Sequence, residues 1–84
     1  ICASLNYGEP PYPAALCTSL NEVICHGIPD DRPLQNGDIL NIDFGAIVNG
    51  YIGDCSKMVA IGAISPDKQR VIDCSYDALM ASIA

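Results

Sequence analysis

Basic residues are scarce in this sequence. Four lysines and arginines stand against ten aspartates and glutamates, giving a formal charge of −6 with a single histidine. Binding to nucleic acid needs clustered cations to neutralise phosphates, so no nucleic-acid partner is expected, and no anionic membrane surface either. No apolar run reaches the roughly 18 to 20 residues of a spanning helix, and no charged segment followed by an apolar one opens the chain. A C-x-x-C pair is also lacking. Cys2, Cys17, Cys25, Cys55 and Cys74 are odd in number and scattered, which fits neither a disulfide framework nor a zinc knuckle. There is no internal repeat and no low-complexity tract. These absences leave a soluble protein of the reducing cytoplasm.

Half of the 84 residues are hydrophobic and 17% are charged, a globular composition. One domain at most fits this length, and its core is marginal, since a chain this small removes only about 60% of its surface from water on folding. It begins at Ile1 rather than Met and ends at Ala84 within a helical pattern that has no Gly or Asn cap. Both ends are expected to be cut.

Residues 1–13, "ICASLNYGEPPYP", hold three of the six prolines, which excludes a helix interior or a central strand and predicts an ordered or docking loop. Residues 14–20 suggest a short strand. A long connection rich in turn formers, "NEVICHGIPDDRPLQNGD", follows, and such loops in compact domains are often functional. Residues 39–48 and 51–61 then flank Asn49-Gly50, the strongest short-range signal for a two-residue hairpin turn. Beyond Gly62, Ser65 reads as an N-cap and Pro66 as the first helical residue. Ile72, Tyr76, Leu79 and Ile83 recur at helical spacing, predicting an amphipathic helix over about 66–83. The fold class is therefore α+β, an antiparallel hairpin packed with a helix.

Two aspartates inside the hairpin require an explanation. With Asn49-Gly50 as the turn, Asp43 lies opposite Ser56 and Asp54 opposite Gly45, so the two acids share one face as diagonal neighbours, with backbones about 7–8 Å apart. Two carboxylates reaching toward each other across a bare glycine repel, and one is driven to hold its proton unless a cation lies between them. A divalent metal ion removes that conflict. The alternative is that one acid is exposed, or that both pair with Arg32, Lys57 or backbone amides. Leu40, Ile42, Phe44, Ala46 and Val48, opposed by Tyr51, Cys55, Val59 and Ile61, make the other face an apolar surface fit for a core. The acid face, lying among Ile39, Ile47, Ile52 and Met58, reads as a half-buried cleft. This register assumes no β-bulge.

The single histidine sits in "CTSLNEVICHGIPDDRPLQNGDILNID", followed by "GYIGDCSKMVAIG". Here the sequence resembles the type I methionine aminopeptidase family, the metal-dependent enzymes that remove the initiator methionine from new proteins. The resemblance runs from about Tyr12 to the C-terminus and rests on N-E-x-x-x-H-G-I-P, x-G-D-I-x-N-I-D and G-Y-x-G-D-[CTS]-S, in that order. It implies the first lobe of a pita-bread fold. It also implies two divalent metal ions, of cobalt, manganese, iron, zinc or nickel type, with Asp43 and Asp54 as the first two of five ligands and Asp54 similar to the bridging one. His26 resembles the loop histidine that contacts the substrate near the scissile amide. Tyr12 and Cys17 match positions lining the methionine pocket, where polarizable sulfur suits a thioether.

Departures from the family pattern matter too. After Asp54 there is no His and no Glu, so one histidine and two glutamates would have to come from a second lobe. The segment "NYGEPPYP" is longer between its tyrosines than the pattern, which leaves Tyr7 without an assigned role. Read without the resemblance, His26 is a turn histidine bonded to backbone, and Cys25, Cys2, Cys55 and Cys74 are buried structural thiols. The implied partner is the N-terminal methionine of nascent polypeptides, and 1–84 is expected to be inactive alone. The rival expectation is a catalytically silent relative serving as a binding or scaffold module. With its packing lobe absent, the chain is expected to be partly unfolded or self-associating.

Overall fold

The structure is a computed structural model that describes all residues, 1–84. Three strands form one antiparallel sheet in the order β1 (Cys17–Leu20), β2 (Ile39–Val48), β3 (Tyr51–Ala60), and a helix, α1 (Pro66–Ile83), follows. The hairpin has the register expected from its turn. Val48 pairs with Tyr51, Asp43 with Ser56 and Gly45 with Asp54, without a bulge from Ile39 to Ala60. Asn49 and Gly50 take φ of 52° and 81°, both positive as a type I′ turn requires. The first strand is shorter than the predicted 14–20 because backbone pairing begins only at Cys17.

The 1–13 segment docks. Cys2 bridges to Ala46, the Ala3 N–H donates to the Gly45 carbonyl at 3.0 Å and the Ile47 N–H to the Ile1 carbonyl at 2.7 Å. The chain start thus continues the line of β1 along the far half of β2. Asn21 ties the other end together, donating through its side chain to Asp38 at 3.0 Å and accepting from the Ile39 N–H at 3.1 Å.

Only Cys17, Ser19 and Leu40 are buried, all where β1 crosses β2. The expectation of a core on the Phe44 face holds at one end only, where Leu40 is buried and Ile42, Val59 and Ile61 are half-buried, and needs correction at the other. Phe44, Val48 and Tyr51 are exposed, Tyr51 at 82%, because no other element lies over them. The helix has its predicted N-cap, with Ser65 Oγ accepting from the Lys68 N–H at 3.3 Å, yet none of its residues is buried. It is fastened at its first turns, where Lys68 Nζ donates to the Gly37 carbonyl at 2.6 Å. Ile72 is half-buried, whereas Tyr76, Leu79 and Ile83 are exposed, so the apolar stripe stands off the sheet for most of its length.

Candidate active site

Period-two alternation on β2 and β3 sends Asp43, Gly45 and Asp54 to one face, where the 1–13 loop rises beside them. Between loop and sheet lies a cleft of about 800 Å³. Every sequence-predicted site residue lines it: Tyr12, Cys17, His26, Asp43 and Asp54. The aspartates are neighbours, as their diagonal register requires. Burial pushes the Asp43 carboxyl above its ordinary value, and the adjoining Asp54 carboxyl, through a hydrogen bond and its charge, pushes it further, while His26 draws it down. Neither acid pairs with Arg32 or Lys57. The one ion pair in the chain is Arg70 with Asp67, on the helix.

His26 takes φ of 58°, a left-handed conformation uncommon outside glycine. What holds it is the next residue. The Gly27 carbonyl accepts from the Thr18 N–H at 2.9 Å and from the Tyr12 hydroxyl at 2.9 Å, and the Gly27 N–H donates to Ser19 Oγ at 3.1 Å. The backbones approach so closely that a Cβ on Gly27 would stand 2.2 Å from the Thr18 carbonyl oxygen. Glycine is required there, and the anchored turn sets His26 over the cleft. Tyr12 also donates to the Leu16 carbonyl at 3.2 Å. Its phenol is pushed up to about 12 by burial and then by the adjoining Cys17 thiol, so it stays a neutral donor at physiological pH.

Ile47 and Ile52 stand beside the acids as the alternation predicts, although Ile52 is exposed rather than half-buried. Tyr7, which the sequence left without a role, stands at the lip, 77% exposed. Tyr7 gives no signal because its position depends on how the proline-rich loop folds back. The Asn6 N–H donates to the Tyr12 carbonyl at 2.8 Å, and the Tyr12 N–H to the Tyr7 carbonyl at 2.8 Å. The expected buried thiols are a second correction. Cys25, Cys55 and Cys74 are exposed and Cys2 half-buried, because they lie on the loop, the bare sheet face and the helix that nothing covers, and only Cys17 is buried.

The acids offer hard oxygen donors to a divalent cation, and their mutual repulsion is what such an ion would relieve. As a donor set they are partial. No group of three or more His, Cys, Asp or Glu side chains is close enough to hold a metal ion.

The profile of metallopeptidase family M24 matches residues 1–84. The chain is 62% identical to a methionine aminopeptidase of Chlamydia muridarum over 84 residues, all of this chain and 29% of that protein. It is 48% identical to a methionine aminopeptidase of Rickettsia prowazekii over 83 residues, 99% of this chain and 31% of that protein. A crystal structure of methionine aminopeptidase from Rickettsia prowazekii superimposes with a TM-score of 0.87 at 49% identity, covering 93% of this chain and 31% of that one. The chain spans less than a third of the length of these relatives.

Proposed function

The chain belongs to metallopeptidase family M24, and from that membership we propose that it carries part of the active site of a methionine aminopeptidase, a hydrolase that cuts the first methionine from new polypeptides in the cytoplasm. One observation carries this reading: Asp43 and Asp54 lie side by side on a cleft onto which His26, Tyr12 and Cys17 also open.

Metallopeptidases of this family use divalent metal, and the two aspartates fit it as hard oxygen ligands. We take the number of ions to be two, and Asp43 and Asp54 would be among the residues that hold them. When bound, such ions lower the pKa of water and polarise the carbonyl to be attacked. The chain's own residues bind and orient. The methionine side chain of a substrate enters beside Tyr12 and Cys17, where ring faces and thiol sulfur suit a thioether. Tyr12 spends its hydroxyl on the Gly27 and Leu16 carbonyls and so presents its ring rather than its polar tip. His26, held by the Gly27 anchor, donates a hydrogen bond near the amide being cut, where charge develops in the transition state. Water is thinned only on the side of the cleft where Cys17 is buried and Tyr12 and Asp43 are half-buried, which strengthens interactions there, while His26 and Asp54 are exposed.

Two aspartates do not complete such a site, so we further propose that residues 1–84 act as the first lobe of a catalytic domain whose second lobe supplies one histidine and two glutamates. The test uses a polypeptide of the relatives' length that carries this segment, assayed for methionine release from a Met-Ala peptide with manganese. Asp54→Asn is expected to abolish both manganese binding and release. His26→Ala is expected to lower kcat at least tenfold, the low end of removing one transition-state donor or proton-transfer group, with manganese binding unchanged. Undiminished release by Asp54→Asn would overturn the metal assignment. No release by the parent polypeptide would favour a scaffold, and release by the 84-residue chain alone would overturn the first-lobe assignment.

A further inference from the structure

Ser19 is the one polar side chain among the three buried residues, 3% exposed, and it does not line the cleft. A hydroxyl buried in a strand is costly unless it is hydrogen-bonded, and this one accepts from the Gly27 N–H at 3.1 Å. The bond acts one residue upstream. The Gly27 N–H lies in the rigid peptide plane that also contains the His26 Cα and carbonyl, so holding it sets where the histidine backbone stands. Nothing nearer does so. The Val23 N–H donates to the Leu20 carbonyl at 3.0 Å, the backbone of residues 24–26 makes no hydrogen bond, and the Gly27 N–H is the next group fastened.

The other two bonds at Gly27, from the Thr18 N–H and the Tyr12 hydroxyl, reach its carbonyl, one peptide plane further on. They dock the turn without holding the plane at His26. At φ of 58° that histidine keeps a conformation that persists outside glycine only where the surroundings over-determine it.

We propose that Ser19 is a positioning residue for His26: its buried hydroxyl holds the His26–Gly27 peptide and so keeps the imidazole in the left-handed pose that opens on the cleft, without touching the substrate. This role rests on the reading of His26 as the donor near the amide being cut. Alanine at position 19 takes the acceptor from the Gly27 N–H but spares both bonds at the carbonyl. The loop then stays docked while the histidine relaxes toward negative φ, and an interaction made in the transition state is lost with substrate binding intact.

The test uses the polypeptide of the relatives' length, with Ser19→Ala, Ser19→Cys, His26→Ala and the Ser19→Ala, His26→Ala pair. Ser19→Cys refills the space with a sulfur that accepts hydrogen bonds poorly, which separates bonding from packing. Both Ser19 variants are expected to lower kcat for Met-Ala about five- to tenfold, since a misplaced donor recovers only part of its contact. KM and manganese binding should not change. In the His26→Ala background, Ser19→Ala is expected to cost nothing further. A second readout needs no activity: the Cα resonance of His26, seen with isotope-labelled histidine and assigned by its loss in His26→Ala, should move in both Ser19 variants. An unmoved resonance, or full kcat in Ser19→Cys, would overturn the role. A loss that adds to that of His26→Ala, or that brings manganese binding down with it, would make Ser19 a support of the whole cleft and overturn it too. A moved resonance in a parent polypeptide that releases no methionine would overturn the aminopeptidase reading and leave the hold of Ser19 on His26 standing.

Discussion

The hairpin face that carries Asp43, Gly45 and Ile47 is half covered by loops, while the face that carries Phe44, Ala46 and Val48 is bare, although the second is the more apolar. Apolar content alone would cover them the other way round. Cover follows hydrogen bonding instead. The chain start is drawn to β2 by the exchange of backbone bonds at Gly45 and Ile47, and the His26 turn by the three bonds at Gly27. A small chain with three buried residues thus orders its cleft through directional contacts, and leaves to non-directional burial a face that nothing in it can fill.

If that contrast is right, removing a directional contact should cost more than altering the bare face. The largest effect is expected from Gly27→Val, whose Cβ meets backbone rather than a yielding side chain, so the turn must lift from β1. A loss of about 3 kcal/mol, read by urea unfolding, is expected from overpacking together with the broken anchor. Equal stability of variant and parent would break the comparison.

Tyr12→Phe comes next. It leaves the Gly27 and Leu16 carbonyls short of a donor and should cost about 1–2 kcal/mol. A pH signature accompanies it. Because the folded phenol holds its proton to about 12 and the unfolded one only to its ordinary 10.0, the stability tied to Tyr12 is complete below about 10 and lost as pH rises to about 12. Thermal melts across that range should fall more steeply in the parent than in the variant.

Asp38→Ala probes the Asn21 clasp. Asn21 first, then the Gln35 N–H, hold the Asp38 carboxyl below its ordinary 3.8, so its contribution is present above that value and is lost as pH falls through the lowered one. The variant should melt below the parent at pH 7, and the two should converge in acid. Smallest is Ser65→Ala, the loss of an exposed N-cap. It should cost about 0.5–1 kcal/mol and lower helical ellipticity without disturbing the sheet. A larger effect than that of Tyr12→Phe would mean that the helix, not the loops, organises the chain.

The hairpin, its turn and the diagonal of Asp43 and Asp54 were legible because Asn49-Gly50 admits one register and alternation does the rest. The bounds of α1 were legible from Ser65 and Pro66. Its stance away from the sheet was not, since an apolar stripe shows that a helix prefers a partner without naming one. The Phe44 face misled for the same reason. The Gly27 anchor was hidden because it arises where segments distant in sequence meet, at Tyr12, Thr18 and Ser19, and Tyr7 because the proline-rich loop turns back on itself. The left-handed His26 carried no local signature, as its conformation is imposed by the glycine that follows it.

The Gly27 contact also makes one mechanical unit of three segments. A single carbonyl accepts from the Thr18 N–H and from the Tyr12 hydroxyl, so any motion that lifts the histidine turn from β1 must also release the phenol that lines the cleft.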